Sequence, residues 1–309
     1  MKKALILSDG KPGHFNQSVA YCKHLHLEYE IVKVEYKSRE KKAFSYLLDH
    51  LNIYTKSLFS KETFQHDFTG FDCIVSTGST TYYANKILAK QLQIPNIAIL
   101  YPKGYRLDFT HLFIPAYDHP PKQKNCTELP INLCAADPDF FDEKAREFKA
   151  RHTPKKEAVG IIIGGSNAVS EIDPVQLKKE LEQLFELTPD AEHWVTTSRR
   201  TSPEVEQMIE QFPFDYVLIN SRESYNPIPA FIHLCERLFV TSDSASMISE
   251  CASFGTAKVE ILFNKQLKTP NKFEELIEGL VKKEAVHIFD GTLGTAQKKI
   301  DVAPLLSSS

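Results

Sequence analysis

Asp9, Lys11, His14, Asn16 and Gln17 crowd one short run, Ser8-Asp9-Gly10-Lys11-Pro12-Gly13-His14-Phe15-Asn16-Gln17-Ser18. A carboxylate and an imidazole this close supply acid–base chemistry near neutral pH. Gly10 and Gly13 permit unusual dihedrals and close backbone approach. The helix expected to follow presents free N–H groups to an anion or a polar ligand. The plainer account is a turn in which Asn16 caps that helix. So many functional groups directly after an apolar strand favour chemistry over a plain turn.

Three further runs lie in the second half of the chain. Gly164-Gly165-Ser166-Asn167 follows the apolar stretch 158–163, as a phosphate loop does. It has neither the dinucleotide nor the P-loop glycine pattern, and a simple turn accounts for it equally well. Ser198, Arg199 and Arg200 precede Ser202 and Pro203, which read as an N-cap and a first helical position. Guanidinium forks suit phosphate oxygens, although two solvated arginines are the bland alternative. In Thr241–Glu250, Ser242, Ser244 and Ser246 surround a helix start and can meet phosphate oxygens with help from the helix dipole. Met247, Ile248, Cys251 and Phe254 form an apolar stripe at helical spacing, which is core. Glu250 falls on another face, one turn from Ser246, where it can accept from a ribose diol. Ordinary capping and a surface carboxylate are the competing accounts.

The elements that must position these residues follow from hydropathy. Apolar runs at 4–7, 31–36, 73–76, 96–100 and 112–114 alternate with helical patterns at 17–27, 41–59 and 81–92. The second half repeats the theme, with strands at 158–163, 193–196, 216–219, 238–241 and 259–263. Its helices are predicted at 175–186, 203–211, 229–235, 246–254 and 273–281. Such alternation implies two α/β domains with open parallel sheets of the Rossmann-like kind, divided as 1–150 and 151–309. The charged segment 140–157 reads as a helix plus linker between them, and the last residues are free to pack back on the first domain. Ligands of open α/β sheets bind beyond the carboxyl ends of the strands, where all four runs lie.

A formal net charge of -3 argues against a broad nucleic-acid surface. The six cysteines, Cys22, Cys73, Cys126, Cys134, Cys235 and Cys251, show no zinc-ligand spacing and read as reduced thiols. The apolar run after Lys2-Lys3 is too short for a signal peptide, and no stretch has the length of a membrane span. These features imply a cytoplasmic protein. The stretch 41–59 sets Lys41, Lys42 and Lys56 among Phe44, Leu47, Leu48, Leu51 and Phe59. It is either a helix packed on the sheet or one that rests on an anionic membrane at its inner face.

At these residues the sequence resembles a known family. The motifs SDGKPGHFNQS, IIIGGS, TSRRTSP and VTSDSASMISE, in this order, are similar to the mitochondrial fission Elm-type family, and the resemblance covers nearly the whole chain. Bacterial members are regarded as glycosyltransferases, so the resemblance implies a GT-B fold with two domains facing a cleft. It implies donor contacts for Gly164, Gly165, Ser166, Ser198, Arg199, Arg200, Ser242, Ser244, Ser246 and Glu250. It places Gly10, Lys11, Gly13, Asn16 and Gln17 on the acceptor side. The chain departs from the family where the glutamate helix runs on into Gly255-Thr256-Ala257-Lys258-Val259, without the usual proline.

The implied reaction moves a sugar from a nucleoside-diphosphate sugar to a hydroxyl acceptor, soluble or lipid-linked, as in cell-envelope glycan synthesis. Asp9 and His14 are the candidates for its base. No metal and no cofactor are expected, since arginines and helix dipoles can hold the leaving diphosphate. The one Asp-x-Asp triplet noted, Asp137-Pro138-Asp139, is near the interdomain segment instead of a donor loop. The rivals are a nucleotide-sugar epimerase on the same fold and a non-catalytic adaptor like the plant members that name the family.

Overall fold

The computed structural model describes residues 2–135 and 138–307, so Asp137 of the aspartate triplet lies outside the described residues. The chain divides into two units, Met1–Ala135 with Asp301–Ser309, and Ala136–Ile300. The first opens with β1 (Lys3–Ser8), α1 (Pro12–His24), β2 (Glu28–Lys33), α2 (Arg39–His50), β3 (Cys73–Thr77), α3 (Tyr82–Leu92), β4 (Asn96–Ile99), β5 (His111–Pro115) and β6 (Cys126–Leu129). The second begins with α4 (Pro138–Arg151), β7 (Ala158–Ile163), β8 (Ser170–Glu171), α5 (Pro174–Leu187), β9 (Glu192–Thr197), α6 (Pro203–Ile209) and β10 (Tyr216–Leu218). It continues with α7 (Ile228–Leu234), β11 (Arg237–Thr241), α8 (Ala245–Ser253), β12 (Lys258–Leu262), β13 (Lys265–Gln266), α9 (Lys272–Lys282) and β14 (His287–Ile288). The chain then returns to the first unit with α10 (Ala303–Leu306), which packs on α1.

Each unit holds a six-stranded parallel sheet, in the orders β2-β1-β3-β4-β5-β6 and β10-β9-β7-β11-β12-β14. The apolar runs that marked β1, β3, β7 and β11 are almost wholly buried, because helices cover both faces of a parallel sheet. In the first unit the chain moves outward from β1 to β2 and resumes at β3 on the other side of β1. In the second it moves from β7 through β9 to β10 and resumes at β11, beside β7. A strand order that reverses in this way leaves a crevice at the carboxyl ends, where ligands of such sheets bind. The two crevices are lined by the loops after β1 and β3, and by those after β7 and β11.

Local chemistry sets the element ends. Pro174 and Pro203 occupy the first helical positions of α5 and α6, behind the N-caps Asp173 and Ser202. The helix expected at 41–59 stops at His50, because Asn52 adopts a left-handed φ of 60°. The N–H groups of Asn52 and Ile53 then close on the carbonyls of Asp49 and Leu48. The strand expected at 31–36 lies earlier, at β2. The edge strands β6 and β14 were not foreseen; they are short and partly polar, and so carry little periodic signal.

The unit boundary falls at 135 and not at 150, for a packing reason. Phe148 of α4 is fully buried among Trp194, Tyr216 and Phe231, with ring centroids 4.7–5.6 Å apart. That aromatic cluster belongs to the second sheet, so α4 folds with it.

Candidate functional site

Helix α1 starts at Pro12, five residues before the expected start, and this changes the reading of the first loop. Pro12 stands at its first position, after Lys11 as N-cap. Gly13, His14 and Asn16 therefore lie within the first turns, and Asn16 is exposed on α1 instead of capping it. The connection from β1 shrinks to Asp9-Gly10-Lys11, with Gly10 at a φ of +78° that a side chain would strain. The Asp9 side chain is almost fully buried. Its carboxylate accepts from His14 Nδ1 at 3.0 and 3.2 Å and from the Lys11 N–H at 3.2 Å. The Lys11 ammonium is 3.6 Å away. Because a carboxylate only accepts, this contact puts a proton on Nδ1, so that in the neutral ring the lone pair is on Nε2. Gln17 is buried, donates to the Gly13 carbonyl at 3.1 Å, and keeps a buried Oε1 with no partner among the described residues.

Across the crevice, the loop after β3 reads Gly78-Ser79-Thr80-Thr81. The His14 ring lies where a Cβ on Gly78 would be, so this position tolerates no side chain. Ser18 and Thr77 join α1 to the end of β3 through a 2.7 Å hydroxyl contact. From α2, the half-buried Lys42 donates to Ser79 Oγ at 2.9 Å and Thr80 Oγ1 at 3.2 Å. Burial, then the charge of Lys11, lowers the Lys42 pKa, while Asp9 opposes both. Gly78–Thr81 have the same signature as the other loops, small and hydroxyl residues after a buried strand, and belong to the candidate site. Lys42 could not be placed here from sequence, since only the fold of α2 over the sheet brings it in.

In the second unit the polar groups close on themselves. The Asp243 side chain is fully buried. It accepts from the Gly165 N–H at 3.0 Å, Thr241 Oγ1 at 2.6 Å and an Arg200 guanidinium N–H at 2.5 Å. Arg200 also donates to the Gly165 carbonyl at 3.0 Å, and the Gly164 N–H donates to Thr241 Oγ1 at 2.7 Å. A Cβ on Gly164 would overlap the Asp243 carboxylate, and one on Gly165 would overlap the Arg200 backbone. The glycine pair thus has a packing reason of its own, and its two amides are engaged internally. Ser242 accepts from the Asn264 N–H at 2.9 Å, Ser166 from the Ile172 N–H at 3.2 Å, and Ser198 from the Arg200 N–H at 3.1 Å.

Other groups remain open. Ser244 is the N-cap of α8, accepting from the Met247 N–H at 3.4 Å. Ser246 sits half-buried in the first turn, and Arg199 is exposed in the loop before α6. Glu250 is half-buried on α8, and its carboxylate has no hydrogen-bond or ion-pair partner among the described residues. Burial pushes its pKa up to about 7. At the C-terminal end of α8, where Cys251 adjoins Glu250 in sequence, Lys299 Nζ donates to the carbonyls of Cys251 and Ala257, both at 2.8 Å, and burial lowers its pKa to about 8. Among the described residues no group of three or more His, Cys, Asp or Glu gathers in a way that could hold a metal.

Comparison with solved structures places the fold in a class. The UDP-GlcNAc 2-epimerase of Neisseria meningitidis, bound to UDP-GlcNAc, matches with a TM-score of 0.54 and 12% identity over 100% of this chain and 90% of that one. The UDP-GlcNAc 2-epimerase of Methanocaldococcus jannaschii matches at 0.52 and 12% identity, over 100% and 91%. The glycosyl transferase family 9 protein of Veillonella parvula is similar at 0.47 and 12% identity, over 100% and 98%. The fold is the GT-B type, two Rossmann-like sheets in one chain. Within it, the chain belongs to the mitochondrial fission ELM1 family, which it matches over residues 12–307. No curated protein sequence matches it.

Proposed function

We propose that the chain is a metal-independent glycosyltransferase that moves a sugar from a nucleoside-diphosphate sugar to a hydroxyl acceptor. The observation that carries the reading is Glu250. A half-buried carboxylate with no partner, desolvated enough to hold a proton near neutrality, is a site lacking its donors. A ribose diol supplies two of them. Ser244 and Ser246, at the start of the same helix, and the free Arg199 are the groups for the diphosphate.

In this reading the first unit handles the acceptor. Asp9 holds the Nδ1 proton of His14 and fixes the ring, and Nε2 takes the proton of the acceptor hydroxyl. The oxygen bonds to the anomeric carbon as the bond from that carbon to the diphosphate oxygen breaks. Arg199 and the α8 dipole stabilise the departing nucleoside diphosphate. Arg200 acts one step back, by holding the glycine loop through Asp243.

The test is a screen of nucleoside diphosphates and their sugars against the full chain, by calorimetry and by product analysis with and without acceptors. Transfer that depends on an acceptor supports the reading. Conversion of the sugar with no acceptor replaces it with an epimerase. Absence of binding by every nucleoside diphosphate sinks both, and leaves the adaptor account.

A further inference from the structure

We infer that the crevice between the loops after β1 and β3 is an anion site for a phosphate group, held by Lys42, Lys11, Ser79 and Thr80. The inference rests on the acceptor-side reading of the first unit and names the class of acceptor, a hydroxyl compound that also carries a phosphate.

The charge balance points there. The hydrogen-bond partners of Lys42, Ser79 and Thr80, are neutral hydroxyls, and no carboxylate forms an ion pair with it among the described residues. Lys11 and Asp9 both lie close enough for their charges to act on Lys42. Asp9 is already shared between His14 Nδ1 and Lys11. Two ammonium groups therefore face one engaged carboxylate. The same crevice adds donors. Ser79 and Thr80 accept from Lys42, which leaves their own hydroxyl protons to donate outward. Thr81, the residue before α3, turns its hydroxyl back to the Gly78 carbonyl at 2.8 Å and caps no helix N–H. The positive end of an eleven-residue helix thus adds to the lysines. A phosphate monoester carries roughly 1.5–2 negative charges at neutral pH and three terminal oxygens, enough for both ammonium groups and both hydroxyls. A carboxylate offers a single charge to the pair.

The experiment is a calorimetric titration of the full chain with inorganic phosphate and with glycerol phosphate. Binding should saturate, and should weaken about tenfold or more in Lys42→Gln and in Lys11→Gln. Arg199→Ala and Glu250→Ala should leave it unchanged, while UDP shows the opposite dependence. Lys11, two-thirds exposed, provides the variant that keeps the fold if Lys42→Gln lowers the melting temperature. Absence of saturable phosphate binding overturns the inference, as does phosphate binding lost with Arg199→Ala and kept in both lysine variants. Phosphate binding of the expected pattern with no binding of any nucleoside diphosphate supports this site and removes the nucleotide reading alone. Vesicles of phosphatidylcholine with phosphatidic acid, compared with phosphatidylglycerol at equal charge, separate the sources. Retention specific to phosphatidic acid and lost in Lys42→Gln supports a lipid-borne phosphate. Binding of the soluble phosphates without such retention supports a soluble acceptor.

Discussion

In the first unit, the loops after β1 and β3 leave Lys42 without an ion-pair partner among the described residues, while Lys11 shares Asp9 with His14. In the second, the loops after β7 and β11 close on each other through Asp243, which takes up Arg200, Thr241 and the Gly165 amide. The strand reversal is the same in both. One crevice therefore keeps its strong groups for a ligand, and the other uses them to shape itself and leaves only Arg199, the start of α8 and Glu250 open. Topology locates a site, while the internal partners of its polar groups decide what is left for a ligand.

The sharpest way to break this contrast is through His14 and Asp9. His14→Ala or Asp9→Asn should lower turnover by about 10²–10⁴-fold, the usual contribution of a positioned base. Nucleoside-diphosphate affinity and melting temperature should stay near those of the parent. Stable variants with full transferase activity would remove both residues from the mechanism. Asp243→Ala should do the reverse. Its loss strands buried donors, at a cost of about 1–3 kcal/mol in urea unfolding. Lys42→Gln, which strands none, should stay within about 0.5 kcal/mol. Equal losses in the two variants would erase the distinction drawn here.

A finer test uses pH. Diol donors favour the ionised carboxylate, so binding draws on Glu250 without its proton. Nucleoside-diphosphate affinity should therefore climb as pH rises toward about 7 and level off above it, with a proton released on binding below that point. Glu250→Gln should flatten the profile, and an unchanged profile would take Glu250 out of the site. The free protein follows the opposite sign. A folded pKa raised above the ordinary carboxylate value means that this group destabilises the fold as pH rises through about 7.

The smallest effect concerns α2, where neither sequence account suffices alone. Ser45, Leu48 and Asp49 are buried against the unit, while Phe44, Leu47 and Leu51 are 47%, 53% and 57% exposed. Serine at these three positions should shift stability by about 0.5 kcal/mol or less each. It should also abolish flotation with anionic liposomes, if the parent floats. A parent that does not float assigns the stripe no membrane role.

The sequence revealed the central strands because their apolar runs have one structural outcome, burial on both faces. It revealed three of the loops after them, since Gly10, the Gly164-Gly165 pair and the serines of 242–246 each stand directly after an apolar run. It did not reveal that Pro12 starts α1, because the apolar periodicity begins only at Gln17 and drew the boundary there. Nor could it show that Arg200 is engaged while Arg199 is exposed with no partner among the described residues. The two are adjacent and chemically identical, and only the approach of Asp243, 43 residues further on, distinguishes them.

The return of residues 301–307 to the first unit bears on how the protein is made. Val302 and Leu306 are buried there, and α10 lies on α1. A chain leaving the ribosome presents residues 2–135 first, yet that unit lacks part of its packing until translation has passed the entire second unit. The second unit closes beforehand, with Lys299 and Ile300 hydrogen-bonded to the C-terminal end of α8. Order of synthesis and order of completion are therefore reversed, and the first unit is the one left with incomplete packing while the second is made.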